Sequence, residues 1–178
     1  MKKIFSAVII LIFCFCNTAV AANGDVLGNY YHTDIKTYIY YAPITAYNIG
    51  GKTMIDAEIL NWHYGFDVYW NENTRKLEIF DKGGRFNSMQ AMSGEIYENS
   101  AGKYGEIAGT YYETDIETYL NGKEITSCNI GGRTCIAAEE MAEHGYDVAW
   151  NEQARILTVN KPADFYKIET NLGTIKTI

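Results

Sequence analysis

The sequence predicts an α+β protein of two tandem small domains, each a mainly antiparallel sheet of about five strands packed on one short helix. Residues Gly28–Glu58 recur as Gly109–Glu139 at an offset of 81, with 18 of 31 positions identical. Residues 65–77 then match 145–157 at 8 of 13 positions, at an offset of 80. Within each copy, alternating apolar stretches surround a single run of helix formers. A repeat of this length fits a small domain better than a solenoid unit.

The first 22 residues have the pattern of an export signal. Lys2 and Lys3 precede an apolar run, and Ala19-Val20-Ala21 fits the small-residue cleavage site. The apolar core is shorter than the ~20 residues that a bilayer span needs. We therefore expect a secreted or extracellular protein, free or associated with the cell surface, with no transmembrane anchor in the mature chain. The predicted divisions are a signal peptide at 1–22, a first repeat at 23–81, a linker at 82–106, a second repeat at 107–160 and a tail at 161–178 that could add one strand.

The charge of the chain excludes one class of partner. The chain has 15 basic and 22 acidic residues, and loss of the two signal lysines would leave a mature charge of −9. Binding to nucleic acid needs a basic face, so the sequence predicts no nucleic-acid partner. The acids are dispersed among lysines, which indicates a role in solubility.

The second copy shows the predicted elements most clearly. Asn121-Gly122 is a strong signal for a two-residue hairpin turn, and Gly131-Gly132 marks a second tight turn because both positions need positive φ. Residues 137–144 are good helix formers, and Gly145 follows where a left-handed helix cap belongs. Alternation of apolar and polar residues predicts the strands 116–120, 125–130, 133–136, 147–150 and 155–159.

The first copy departs from this pattern at its first turn. Tyr40-Tyr41-Ala42-Pro43 stands where the second copy has Asn121-Gly122-Lys123-Glu124. Because the Asn-Gly signal for a two-residue turn is replaced, we expect a looser or differently built hairpin here. The linker is rich in glycine and serine and has one short strand predicted near Ile96.

The two cysteines that follow the signal are predicted to form a disulfide. With Gly131-Gly132 as the turn, Cys128 faces Cys135 directly across the hairpin. Opposed residues of an antiparallel pair have Cα atoms ~5.5 Å or less apart, which is within disulfide reach. The first copy has Tyr47 and Met54 at these positions, so the disulfide would cross-link one hairpin of the second copy and would not be a general feature of the repeat.

Tyrosines provide a candidate contact surface. Tyr38 and Tyr119 lie on the strand face opposite the isoleucines, while Tyr40 and Tyr41 replace a hydrophilic turn. Aromatic side chains on an outer face can stack on sugars or anchor a protein partner. They also stabilise sheets through cross-strand pairs, so ordinary packing stays an alternative for Tyr38 and Tyr119.

The landmarks of both copies resemble a known family. The stretch Ile49-Gly50-Gly51-Lys52-Thr53-Met54-Ile55, then a short helix, then Gly65-Phe66-Asp67-Val68-Tyr69-Trp70-Asn71, is similar to the copper amine oxidase N-terminal-like, or stalk, domain of exported bacterial proteins. Residues 130–136 followed by 145–151 are the second match. The resemblance implies a repeated noncatalytic domain with an antiparallel sheet wrapped around a helix. The proline and arginine usual after the threonine strand are missing, so no role of theirs is carried over.

No catalytic constellation or cofactor site is predicted. An amine oxidase needs a cofactor-forming tyrosine followed by an acid and three copper-binding histidines, but Tyr30 is followed by Tyr31. His32 is better explained as part of a solvated strand start than as a metal ligand, because the second copy has Glu113 there. His63 and His144 precede helix-ending glycines, where a cation favours the helix dipole. Gly50-Gly51-Lys52-Thr53 lacks the upstream glycine of a phosphate loop.

These observations lead to two hypotheses on function. The first is a noncatalytic exported binding or structural module that acts by self-association or by contact with wall glycan or another surface protein. The second is an accessory or inhibitor of an exported enzyme, which would present a loop such as 40–43. Trp70 and Trp150 occur in both copies, so we expect them to pack at a sheet edge or in the core.

Overall fold

The computed structural model describes residues 24–82 and 102–161, and the predicted signal, the strand near Ile96 and the tail after Lys161 lie outside these ranges. Most described residues are in β-strands. The first repeat contains one five-residue helix, α1 (Ile59–His63), and the second contains a 3-10 helix at Ala138–His144. The strands of the first repeat are β1 (Val26–His32), β2 (Lys36–Ile39), β3 (Ala42–Ile44), β4 (Ala46–Ile49), β5 (Lys52–Asp56), β6 (Phe66–Asn71) and β7 (Lys76–Asp81).

The second repeat continues the same series of strands. They are β8 (Ile107–Tyr112), β9 (Glu117–Leu120), β10 (Lys123–Glu124), β11 (Ser127–Ile130), β12 (Arg133–Ala137), β13 (Asp147–Asn151) and β14 (Ile156–Asn160). The local elements therefore follow the sequence prediction in order, with additional strands at the start of each copy.

Six strands close into an antiparallel barrel in the order β1-β4-β5-β12-β11-β8. Three strands come from each repeat. One buried cluster takes residues from all six strands, so it fills the inside of the barrel. Its members are Tyr30, Ile49, Met54, Tyr111, Cys128, Ile130, Cys135 and Ala137.

The other eight strands form two small sheets, and each sheet mixes the two repeats. One has the order β10-β9-β7-β6 and the other β13-β14-β2-β3. The joining contacts are parallel, with Leu77 beside Thr118 in one sheet and Leu157 beside Thr37 in the other. Neither repeat completes a small sheet alone. We call the first sheet with α1 the Trp70 lobe, and the second sheet with the 3-10 helix the Trp150 lobe.

The pairing registers show an internal two-fold axis. Ile55 pairs with Ile136, its own equivalent at the offset of 81. Asn29 likewise pairs with its equivalent Thr110. Self-pairing of equivalent residues is possible only at a two-fold axis, which therefore passes through both seams of the barrel.

The same axis explains one glycine in each copy. A Cβ on Gly109 would lie 2.7 Å from the ring of Tyr30, and a Cβ on Gly28 would lie 3.1 Å from the ring of Tyr111. Each tyrosine ring thus packs over the glycine of the other repeat. The glycines leave room for the rings where β1 crosses β8.

The main core lies between the barrel and the two lobes. It takes Ile55 and Ile136 from the barrel, Ile79 and Val159 from the lobes, and residues from both helices. Leu60 of α1 and Met141 of the 3-10 helix occupy equivalent positions and are both completely buried. The 3-10 helix packs against β5 of the first copy as well as β12, β13 and β14 of its own copy.

The predicted fold class is therefore wrong. The chain is mostly β, with a closed barrel and two small sheets, and is not an α+β pair of five-strand sheets each packed on a helix. The period-two pattern gives strand positions correctly, but it carries no information about which copy supplies the partner strand. The return strand predicted at 125–130 is shortened to β11 (Ser127–Ile130), which joins the barrel. A separate short strand, β10 (Lys123–Glu124), precedes it and joins a lobe.

The tight turns and the helix cap can be compared directly with the turns predicted from the sequence. Gly131 and Gly132 have φ of 60° and 85°, and Gly145 caps the 3-10 helix at 87°, which confirms both predictions. The expectation of a different first hairpin is wrong. Tyr40 and Tyr41 adopt φ of 50° and 69°, the same turn as Asn121-Gly122, and Ile39 pairs with Ala42 across it.

Candidate functional site

Two matching tryptophan hairpins form the most distinctive surface feature. Trp70 on β6 and Trp150 on β13 are each 42% exposed. Their indole Nε1 atoms donate hydrogen bonds to Glu72 (2.8 Å) and Glu152 (2.7 Å), two residues further along the chain. Of the two expected positions, the sheet edge is confirmed, because β6 and β13 are edge strands of their sheets. The core is excluded, because each tryptophan is partly open to solvent.

The turn after each tryptophan returns an arginine to the indole. Asn71 Oδ1 accepts the N–H groups of Asn73 and Thr74 at 3.1 and 3.2 Å, which shapes this turn. Arg75 then lies with its Cζ atom 5.3 Å from the centre of the Trp70 ring. A guanidinium at this distance attracts the ring face, so the indole is restrained from two sides.

Each arginine also joins the two repeats. Arg75 binds Asp115 with Nη2 to Oδ1 at 2.5 Å, and Arg155 binds Asp34 at 2.7 Å. The hydrogen bonds from Arg75 lower the pKa of the Asp115 carboxyl, and those from Arg155 lower the pKa of Asp34. Both pairs are exposed and contribute little to stability. Their effect is to fix the arginine, and with it the tryptophan, against the neighbouring repeat.

A cavity of about 350 Å³ adjoins Trp70. It lies between β6, β7, the turn Gly131-Gly132 and helix α1, so both repeats supply its walls. The strands of the Trp70 lobe supply apolar lining residues, whereas α1 with its N-cap and β12 supply a carboxylate, an amide and a hydroxyl. The residues used below are Val68, Trp70, Ile116, Glu58, Asn61 and Thr134.

The equivalent place beside Trp150 has different polar groups. Glu139, the counterpart of Glu58, accepts the backbone N–H of Thr53 with both carboxylate oxygens, each at 3.0 Å. Glu58 is exposed instead. Ala142 stands at the position of Asn61, so no side-chain amide is present there. The two tryptophan hairpins are alike, whereas the groups next to them are not.

The four tyrosines of the predicted contact surface occupy different environments. Tyr41 is 81% exposed at the tip of its turn. Tyr38 and Tyr119 are half-buried, and Tyr119 donates a hydrogen bond to Glu117 at 2.9 Å beneath the ammonium group of Lys76. The expected exposure of Tyr40 is corrected, because this side chain is only 8% exposed. These four residues do not form one surface.

Tyr40 belongs to a buried polar cluster between the lobes, which we call the Asp81 cluster. The carboxylate of Asp81 accepts hydrogen bonds from the hydroxyl groups of Tyr40 and Tyr146, the latter at 3.3 Å. Lys161 Nζ lies 3.1 Å from Asp81 Oδ1, and both side chains are less than a tenth exposed. Tyr40 stacks on Phe66 with ring centres 5.5 Å apart. Burial is the main cause that raises the pKa values of Tyr40 and Tyr146 above the usual tyrosine range.

The predicted cysteine pair has the expected register. Cys128 lies directly opposite Cys135 between β11 and β12, and both are buried as free thiols in this structure. Burial raises the pKa of Cys128 to about 11 and that of Cys135 well above its ordinary value. The disulfide stays a prediction, and counting free thiols in unreduced protein checks it.

The described ranges contain no group of three or more histidine, cysteine, aspartate or glutamate side chains that could hold a metal ion. His32 has Nδ1 buried without a hydrogen-bond partner among the described residues. Neither of the two helices in these ranges is long and apolar enough to cross a membrane.

The sequence predicted the tryptophans at a sheet edge or in the core, but not as part of a binding site. The signal for the surface site was present, because both copies contain Trp-Asn-Glu followed by an arginine five residues after the tryptophan. That spacing brings the arginine back across a four-residue turn. The partner aspartate comes from the other repeat, which only the exchanged strands reveal.

Comparison with protein-family models, curated proteins and solved structures finds no match. The resemblance to the stalk domain stays a prediction from sequence.

Proposed function

We propose that this chain is a noncatalytic exported module that binds at the cell surface through Trp70 and the cavity beside it. The observation that carries the proposal is an indole 42% exposed yet held by Glu72 and Arg75. Exposed large aromatics are frequent anchors of binding surfaces. A ring that is already restrained loses little conformational freedom when a ligand arrives, so binding to it costs less.

The asymmetry between the lobes favours the Trp70 lobe as the contact. Both lobes have the same hairpin, which indicates that the hairpin itself belongs to the architecture. Next to Trp70, Glu58 is exposed and Asn61 supplies an amide. Next to Trp150, Glu139 is bound to the backbone of Thr53. The free polar groups therefore accompany one tryptophan.

A retention experiment tests this function. Trp70→Ala and Trp150→Ala remove equally exposed indoles with the same two contacts, so they should cost similar stability. We expect Trp70→Ala to release the protein from the cell-surface fraction of its natural host, while Trp150→Ala stays retained. Equal retention of both variants, with circular dichroism showing both folded, would contradict the proposal.

A second candidate is an accessory or inhibitor that presents its first turn to an exported enzyme. One observation favours it: Tyr41 is 81% exposed at a turn tip whose backbone is fixed by the stacked and hydrogen-bonded Tyr40. Tyr41→Ser should then abolish capture of the partner enzyme without changing retention at the surface. Capture that survives Tyr41→Ser would exclude this role for the turn.

A further inference from the structure

We infer that the Trp70 cavity binds a neutral glycan, with a pyranose ring stacked on the indole. The inference rests on the proposed function of the Trp70 lobe and specifies its ligand. A pyranose ring has an apolar face of C–H groups and a rim of hydroxyl groups. The cavity lining has both kinds of group: β6 and β7 supply aromatic and aliphatic side chains, whereas α1 with its N-cap Glu58 and β12 supply polar ones.

The apolar side provides the stacking surface. Trp70 is flanked by Val68 of the same strand and by Ile116 from the other repeat. The electron-rich face of an indole attracts groups that carry partial positive charge, which includes polarised C–H groups. Because Glu72 holds the indole Nε1, the ring orientation is set before the ligand binds.

The polar side matches hydroxyl groups in both of their hydrogen-bonding roles. The Glu58 carboxylate only accepts hydrogen bonds, while the Asn61 amide and the Thr134 hydroxyl both donate and accept. A ligand rich in hydroxyls satisfies such a set, since each hydroxyl is itself donor and acceptor. A purely apolar ligand would leave these groups desolvated without partners, which costs free energy.

The charge of the protein and the volume of the cavity further restrict the class of ligand. Glu58 lines the cavity and the whole chain has a net charge of −7, so an anionic ligand such as a phosphate or a sulfated sugar is disfavoured. A volume of about 350 Å³ is at the small end of small-molecule sites. It suits a short oligosaccharide or the end of a longer chain, not a folded protein segment.

Isothermal titration calorimetry on the full exported chain provides the test. The probes are chitotetraose and cellotetraose, both neutral, with a sulfated heparin tetrasaccharide as the anionic comparison. We expect at least one neutral probe to bind with one site per chain, and the sulfated probe not to bind. Trp70→Ala should weaken that affinity by about tenfold or more, the equivalent of one stacking contact.

Two matched variants keep the result interpretable. Trp150→Ala removes the equivalent indole of the other lobe and should leave the affinity unchanged. Asn61→Ala copies Ala142 of that lobe on an exposed helix position, and should weaken affinity by about fivefold through one lost hydrogen bond. Folding of each variant is checked by thermal unfolding.

The possible outcomes distinguish an error in the proposed ligand class from an error in the proposed site. Absence of binding by both neutral probes, together with loss of surface retention in Trp70→Ala, overturns the glycan and leaves the proposed function standing. Absence of binding with normal retention overturns both. Glycan binding that Trp70→Ala and Asn61→Ala leave intact, or that Trp150→Ala removes equally, overturns the assignment to this cavity.

Discussion

The barrel seams and the Asp81 cluster both lie where equivalent positions of the two repeats meet, yet they differ in the residues placed there. At one seam Ile55 faces its equivalent Ile136, and the two residues are identical. In the cluster, Asp81 binds Lys161, which occupies the equivalent position at the offset of 80. An apolar residue can meet its own copy at an axis. A buried charge cannot, because two like charges would repel in a medium of low dielectric.

This difference shows what duplication within one chain permits. A symmetric dimer of single repeats would place two aspartates or two lysines together at this point. One chain with two copies can instead carry a buried ion pair, and the other equivalent positions of the cluster differ as well: Tyr40 corresponds to Asn121 and Phe66 to Tyr146. Asn121 Nδ2 donates to the Tyr146 hydroxyl at 2.9 Å, so the divergent residues contact one another.

Separating the repeats is the change with the largest expected effect. A chain cut within 83–101 leaves β2 without β14 and β7 without β9, and it divides the barrel into two open halves. Each half alone should lack cooperative unfolding and show little tertiary signal in near-ultraviolet circular dichroism. Mixing the halves should restore both, because each supplies the strands that the other lacks. Cooperative folding of either half by itself would show that the exchange of strands is not required.

The second prediction concerns the ion pair of the Asp81 cluster. Lys161→Met leaves the Asp81 carboxylate buried without its lysine and should lower the free energy of unfolding by about 3–5 kcal/mol. Lys52→Met is the control, since Lys52 pairs with Glu140 on the surface and is 55% exposed, and it should cost less than about 1 kcal/mol. Denaturant unfolding measures both.

The double variant Asp81→Leu with Lys161→Met sharpens this comparison. Removing both charges should recover most of the stability lost in Lys161→Met, because no unpaired charge stays buried. A double variant as unstable as the single one would mean that hydrogen bonds from the tyrosines, and not the charge pair, decide the stability of the cluster.

The third prediction uses the raised pKa values of Tyr40 and Tyr146. Burial keeps both phenols neutral in the folded protein, whereas in the unfolded chain they ionise near the ordinary value of 10.0. Their contribution is fully present below that pH and is lost as the pH rises above it. The free energy of unfolding should therefore fall from about pH 10 upward.

Tyr40→Phe isolates one of these phenols. This variant is less stable near neutral pH because the hydrogen bond to Asp81 is lost, but its free energy of unfolding should decline less steeply between pH 10 and 11. Denaturant unfolding at several pH values gives both slopes. Equal slopes in the variant and the parent protein would place the alkaline sensitivity elsewhere.

The sequence correctly predicts the glycine turn and the helix cap of the second repeat, but it does not predict which strands pair between the two repeats. Gly131-Gly132 and Gly145 need positive φ whatever surrounds them, so both turns were predictable. The partner of β2 was not, because a strand of alternating residues fits either copy equally well, and the choice depends on the joint packing of both repeats. For the same reason, the sequence did not predict the ion pair between Arg75 and Asp115. It also did not predict that Tyr40 is buried in the Asp81 cluster, because the other members of that cluster lie far away in sequence.

The smallest expected effect compares one threonine in each lobe. Thr118 Oγ1 donates to Ser127 Oγ at 2.9 Å, but the equivalent Thr37 lies where the first copy has Ala46 in place of that serine. Thr37 is 1% exposed and its hydroxyl has no partner among the described residues. Thr37→Val should therefore raise the free energy of unfolding by about 1 kcal/mol, and Thr118→Val should lower it by about as much. Chemical denaturation of the two variants measures the opposite signs. The same sign for both would show that the buried hydroxyl of Thr37 is satisfied in solution, and that the two lobes are more alike than their hydrogen bonds indicate.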